Sequence, residues 1–147
     1  MTSHIFSQNI TWTPLTRLYL QAGATYALDQ TDTPAAAAIP GTNVVLNAKN
    51  NYWNANFTTG FVLSEKSDLQ AQYFYYRAND YVDNSLVGMP YGAGAEEHGI
   101  TATLNHRFTP KLLWSLRYGF FKNRDATSGG HNDYDAHLVY SSVQYRF

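Results

Sequence analysis

The sequence has no cysteine and few charged residues. The absence of Cys from all 147 residues excludes disulfides, thiolate metal ligands and cysteine nucleophiles. Asp, Glu, Lys and Arg make up 14% of the chain, well below the roughly 25% of an average soluble domain. The net charge of −1 gives no reason to expect a nucleic-acid partner.

Long apolar runs are also missing, although aromatic residues are abundant. No segment approaches the roughly 20 apolar residues of a membrane-spanning helix, and the mean hydropathy is only −0.38. Aromatic residues nevertheless make up 16% of the chain, with 12 Tyr. This combination is typical of a membrane β-barrel, whose strands alternate lipid-facing apolar residues with polar residues that face the lumen. Residues 1–9 lack the basic region and apolar core of a signal peptide. A barrel of this kind must be exported. We therefore expect either that an export signal has been removed or that these residues are the C-terminal part of a longer chain.

Apolar and polar residues alternate with period two in several segments, which indicates strands with one apolar and one polar face. We predict an all-β domain or segment over residues 1–147, with seven strands near residues 4–13, 17–29, 51–63, 69–79, 98–108, 112–123 and 134–147. Three short turns alternate with longer loops at residues 29–50, 79–97 and 125–132. We expect the turns at one end of the sheet and the loops at the other.

The polar faces of these strands contain mainly Asn, Gln, Thr, Gly and Arg, whereas Lys and Glu are concentrated in turns and loops. A soluble sheet would carry Lys and Glu across its exposed face. We therefore predict that the apolar face contacts lipid. The residues assigned to that face include Trp12, Leu20, Phe57, Phe61, Leu104, Leu116 and Val143. The alternative is a soluble, lipocalin-like barrel that binds a ligand.

The end of the chain places Val143, Tyr145 and Phe147 on one face of the last strand. A terminal Phe with Tyr and Val two and four residues before it resembles the signal that closes bacterial outer-membrane β-barrels, the porin-like family. The resemblance implies an antiparallel, up-and-down barrel in the bacterial outer membrane. It also implies contact with outer-membrane lipid and lipopolysaccharide, and recognition of the last strand by the barrel-assembly machinery.

The resemblance further implies a passive pore or channel wall for small polar solutes, with no enzymatic activity and no cofactor. Bacterial single-chain barrels have an even number of strands, so seven strands predict the C-terminal portion of a larger barrel. Further strands or a partner protein would complete it. The alternatives are the C-terminal barrel part of a TonB-dependent transporter, the porin sheath of a porin–cytochrome conduit, and an outer-membrane enzyme barrel. The sequence shows no convincing catalytic set for the last of these.

Four arginines fall on the predicted polar face, namely Arg17, Arg107, Arg117 and Arg146. They predict either a positive zone in the lumen that favours anions, or ion pairs with carboxylates elsewhere in the barrel. Three glycines, Gly23, Gly60 and Gly119, share this face. They would relieve strand curvature or let a plug approach the wall closely.

A weak metal-site candidate lies before the last strand. An extended chain would place His131, Asp133, Asp135 and His137 on one face. Two imidazoles and two carboxylates can bind a divalent transition metal. The interpretation that we favour is a hydrated rim above the membrane surface, without a metal.

Overall fold

The computed structural model describes residues 1–33, 47–81 and 94–147, which form a single antiparallel sheet of seven strands. Each strand pairs with its neighbours in the sequence, so the up-and-down order predicted from the sequence is confirmed. The strands are β1 (Thr2–Leu15), β2 (Leu18–Thr31), β3 (Ala48–Ser64), β4 (Ser67–Tyr81), β5 (Ala95–Thr109), β6 (Leu112–Asp125) and β7 (Tyr134–Tyr145). No helix in the described part of the chain is long and apolar enough to span a membrane.

The strands extend beyond the predicted segments at the loop end of the sheet. β3 begins at Ala48 and β5 begins at Ala95, so both reach into the predicted loops. Most of those two loops, residues 34–46 and 82–93, lies outside the described residues. The last strand differs in the other direction, because β7 ends at Tyr145 and not at Phe147.

The sheet is open. Among the described residues, β1 forms a ladder only with β2, and β7 forms a ladder only with β6. A closed barrel is therefore not formed by these residues. Both edge strands run from the loop end of the sheet to the turn end.

Each short connection is a two-residue turn accompanied by a shift in strand register. The turns occupy residues 16–17, 65–66 and 110–111. No residue in them has a positive φ, which excludes the type I′ and II′ turns that match the twist of the strands. The shifts fall immediately before each turn. An extra residue in one strand increases the local right-handed twist, so the shifts compensate for the turn type.

The strands predicted near residues 4–13 and 17–29, and the proline between them, predict a first turn at residues 13–16, which is too early in the chain. Pro14 lies inside β1, and the chain turns at residues 16–17. The register shift between Trp12 and Leu15 encloses Pro14. An edge strand tolerates Pro at such an irregularity because one side of the strand needs no ladder hydrogen bond.

One backbone hydrogen bond joins each turn to the end of the strand that follows its hairpin in the sheet. The amide of Val62 donates to the carbonyl of Arg17 at 2.8 Å. The amide of Arg107 donates to Lys66 at 2.7 Å, and that of Arg146 donates to Lys111 at 2.9 Å. The turns therefore form a continuous rim along one end of the sheet.

The described residues contain almost no apolar core. The buried hydrophobic residues are only Ala27, Ala78 and Ala95. Large side chains remain exposed, with 61% exposure for Trp12, 43% for Phe57 and 68% for Val143. A soluble sheet buries its apolar face against a second layer, and residues 1–33, 47–81 and 94–147 contribute no second layer to this one.

Strand register brings the predicted lipid-facing residues to one face. Leu20 lies opposite Trp12, and Phe61, Leu69, Leu104 and Leu116 follow one another across β3 to β6. Phe57 and Val143 are separated from members of this row by even numbers of residues along their strands, so they share the face. The shared face is therefore confirmed, whereas its contact with lipid stays a prediction.

Candidate functional site

The opposite face of the sheet is lined by polar side chains that hydrogen-bond across the strands. Ser7 Oγ lies 3.0 Å from Thr25 Oγ1. Ser115 donates to Asn105 Oδ1 at 2.6 Å, and Asn105 Nδ2 donates to Asp68 Oδ2 at 2.9 Å. These bonds hold the side chains against the sheet, and this face remains lined by hydroxyl and amide groups. Such a surface is able to contact polar solutes.

The tyrosine at the start of β2 crosses this face. A Cβ built on Gly60 would overlap the Tyr19 ring, which therefore occupies the space above the glycine. The Tyr19 hydroxyl accepts a hydrogen bond from Gln70 Nε2 at 3.0 Å. The side chain thus reaches from β2 over β3 to β4. Gly60 leaves room for a side chain of the sheet itself, which neither sequence hypothesis about the glycines anticipated.

A second ring covers Gly99 in the same way. The Phe74 ring occupies the position that a Cβ on Gly99 would take, and Phe121 lies 6.2 Å from Phe74 between ring centroids. This arrangement explains why Phe74 interrupts an otherwise polar face. The sequence signal for it is an aromatic residue opposite a glycine, but that signal requires the strand register.

The four predicted arginines occupy three different settings. Arg107 and Arg117 lie on the polar face, and Arg117 Nε donates to Thr103 Oγ1 at 3.0 Å. Arg17 lies in the first turn and not on a strand face, because the turn begins after Leu15. Arg146 follows the last residue of β7.

Sequence reasoning missed two lysines that belong to the same end of the sheet. Lys66 and Lys111 each occupy the second position of a turn, as Arg17 does. The basic rim is defined as the five cations at the turn end: Arg17, Lys66, Arg107, Lys111 and Arg146. The signal for it was a basic residue recurring at the same position of every short turn.

Charges are distributed unequally between the two ends. Among the described residues, no member of the basic rim forms an ion pair with a carboxylate. At the loop end, Lys49 pairs with Asp80 at 2.7 Å, and Arg124 pairs with Asp135 at 2.8 Å. In the part of the chain that the structure describes, only Glu65 and Asp68 bring side-chain carboxylates to the turn end. The turn end therefore has an excess of positive charge. At the loop end the described carboxylates outnumber the cations, so this end is negative: Asp29, Asp32, Asp80, Glu96, Glu97, Asp125, Asp133 and Asp135 against Lys49, Arg77, Lys122 and Arg124.

The metal-site hypothesis required an extended chain through His131, and the structure does not provide one. Gly129 and Gly130 adopt φ values of 63° and 89°, and the chain remains in turns before β7 begins at Tyr134. Asp133 Oδ1 accepts a hydrogen bond from the backbone amide of Asp125 at 2.7 Å.

The other two proposed ligands have separate partners. Asp135 Oδ2 accepts from Arg124 at 2.8 Å, and His137 Nδ1 lies 2.8 Å from the Tyr118 hydroxyl. No group of three or more possible metal ligands occurs in the described part of the chain. The four residues therefore do not form a shared site.

The proposed assembly signal lies on the apolar face at the turn end. Tyr145 and Phe147 pack edge to face, with ring centroids 5.2 Å apart, and Val143 lies opposite Trp114. Trp114 Nε1 donates to Ser141 Oγ at 2.9 Å. Ser141 therefore satisfies the indole N–H at a position where the pattern favours a larger apolar residue.

No protein-family model, curated protein or solved structure matches this chain. The two unlike faces and the two oppositely charged ends of the sheet are thus the basis for inferring its function.

The placement of Tyr19 over Gly60 predicts strongly coupled substitutions. Gly60→Ala should destabilise the sheet by about 1–3 kcal/mol, because the new methyl group displaces the ring. In a Tyr19→Ala background the same change should be neutral, or stabilising by about 0.4–1 kcal/mol, because Ala restricts the unfolded chain. Unfolding free energies of the four variants, measured in detergent, give the coupling. Additive effects would show that the ring does not lie over the glycine.

Proposed function

We propose that this chain forms a wall of a β-barrel in the outer membrane of a Gram-negative bacterium, and that the barrel is a passive pore for small polar solutes. The observation that carries the proposal is the uncovered apolar face opposite a hydrogen-bonded polar face. In a membrane barrel the first face contacts lipid, including lipopolysaccharide, and the second lines the lumen. A soluble, lipocalin-like barrel would need protein to cover the exposed apolar side chains.

The apolar face has the dimensions and the margins of a membrane-spanning surface. Along β3, the residues on this face from Trp53 to Phe61 carry no charge and include an aromatic at each end. Eight steps of about 3.4 Å at a tilt of roughly 40° cover about 21 Å. This length approaches the roughly 25 Å apolar band of outer-membrane barrels, which is flanked by aromatic girdles.

The open edges support a wall that other strands complete. β1 and β7 run in the same direction, so a purely antiparallel closure requires an odd number of additional strands between them. The total is then even, as in bacterial single-chain barrels. We propose that these strands come from further polypeptide or from a partner protein, as they would in a transporter barrel or a cytochrome sheath.

Neighbouring residues in β5 provide a direct test of the pore. Thr101 lies opposite Gly119 on the polar face, and Ala102 lies opposite Tyr118 on the apolar face. Thr101→Trp should narrow the lumen and slow the uptake of small sugars into proteoliposomes, whereas Ala102→Trp should leave uptake unchanged. Swelling rates of liposomes that contain the assembled protein measure both. Uptake no faster than in protein-free liposomes, or equal loss in both variants, would contradict the proposal.

Deletion of Phe147 tests whether the last strand is recognised by the assembly machinery. The residue contributes at most about 1.5–3 kcal/mol of apolar burial, which is small for a sheet with six ladders. If Phe147 belongs to an assembly signal, its deletion should reduce assembled protein in cells far more than it reduces stability after refolding in detergent.

A matched control for this deletion is Phe108→Ala. Phe108 is an exposed aromatic at the same end of the sheet, and it lies outside the terminal signal. This variant should lower both quantities slightly and in parallel. Equally small effects of the two changes on assembly would mean that Phe147 is only one more exposed aromatic.

A further inference from the structure

We propose that the basic rim contains an oxyanion site, in the cleft between the β5–β6 turn and the end of β7, and that the solutes it receives are small, phosphate-bearing anions. The assignment of these anions as transported solutes rests on the proposed pore. The site itself depends only on the geometry of the rim.

The cleft is assembled from three separate segments of the chain. It has a volume of about 160 Å³ and is lined by Arg107, Pro110, Lys111, Leu112, Leu113, Gln144 and Arg146. Arg107, Leu113 and Gln144 are successive partners across β5, β6 and β7, so they lie in one row of the polar face. The bond from the Arg146 amide to the Lys111 carbonyl fixes the end of β7 against the turn.

No carboxylate inside this cleft neutralises its positive charge. No Asp or Glu is among the residues that line it, and its three cations form no ion pair with any described carboxylate. The terminal carboxylate belongs to Phe147, which follows Arg146 but is not part of the lining. Like charges held together raise the local positive potential, and a bound anion lowers their mutual repulsion.

The neighbouring cleft provides a contrast that favours this position. It has a volume of about 140 Å³ and shares Arg107 with the first cleft. It is also lined by Lys66, Glu65 and Asp68, so its cations face carboxylates. An anion therefore gains more attraction beside Lys111 and Arg146 than beside Glu65.

The donors in the first cleft match the chemistry of a phosphate group. The guanidinium groups of Arg107 and Arg146 each present a planar fork for two phosphate oxygens. Lys111 adds a compact charge, and the amide of Gln144 adds neutral N–H donors. Pro110, Leu112 and Leu113 form the apolar part of the wall, and the three cations and Gln144 are exposed and therefore accessible to a dissolved anion.

Binding of inorganic phosphate tests the site without requiring a conducting pore. The protein is placed in discs of neutral phosphatidylcholine and titrated with phosphate by calorimetry. We expect saturable binding that the double variant Arg107→Gln, Arg146→Gln weakens by about 10-fold or more. The control Lys49→Gln, Lys122→Gln removes the same charge at the loop end and should change the affinity by less than about twofold. Absent saturable binding, or equal weakening in both double variants, would overturn the proposal.

Two further variants and one change of lipid remove the remaining ambiguities. Arg107→Lys combined with Arg146→Lys retains the charge but removes the planar forks, so it should bind phosphate more weakly than the native protein and more tightly than the double Gln variant. Binding by a folded Lys variant that is no tighter than that of the double Gln variant would overturn the site. Discs with added anionic phosphatidylglycerol should bind phosphate with unchanged affinity, because the cleft lies on the polar face. Competition by this lipid would mean that the site takes a lipid phosphate and not a solute. Thr101→Trp should leave the calorimetry unchanged, which separates failure of the pore from failure of the site.

Discussion

Pairing of backbone N–H and C=O groups between neighbouring strands is the constraint on which the rest of this structure depends. In hydrocarbon an unpaired backbone group costs several kcal/mol, and six antiparallel ladders satisfy the five inner strands. The outer sides of β1 and β7 remain without partners among the described residues. Because side chains alternate with period two, the same ladders fix which residues share a face, and a one-residue slip would exchange the faces. The two unlike faces and the two-residue turns therefore specify the register of the sheet.

Side chains on the polar face reinforce this register. Tyr19 extends over Gly60 to Gln70, so it links three strands, and Phe74 covers Gly99. Both rings lie against the sheet, which leaves the polar face lined mainly by hydroxyl and amide groups. At the turn end, the carbonyls that accept the bonds from the neighbouring strands belong to Arg17, Lys66 and Lys111, so each turn holds a basic residue in an equivalent position. The architecture that orders the sheet thus also creates its charged end.

The features that sequence predicted well are local ones. Alternation within a segment depends only on neighbouring residues, so the seven strands and their two faces could be predicted. The position of the Tyr19 ring over Gly60 could not be predicted from the sequence, because it depends on the register between strands that are far apart in the chain. Pro14 lies inside β1 although proline disfavours a central strand, because an edge strand has one side without ladder hydrogen bonds. His131 failed as a metal ligand because Gly129 and Gly130 turn the chain. Lys66 and Lys111 were overlooked because their common position emerges only when the turns are aligned.

Adjacent threonines in β3 test the central claim that one face contacts lipid and the other lines an aqueous lumen. Thr58 lies opposite Gln21 and Gln72 on the polar face, and Thr59 lies opposite Leu20 and Ala71 on the apolar face. The chain has no native cysteine, so Thr58→Cys and Thr59→Cys each introduce a unique thiol. In isolated outer membranes, a charged, water-soluble maleimide should label Cys at position 58 and not at position 59, and both should react equally after denaturation. Rapid labelling at position 59 in intact membranes would contradict a lipid-facing apolar face.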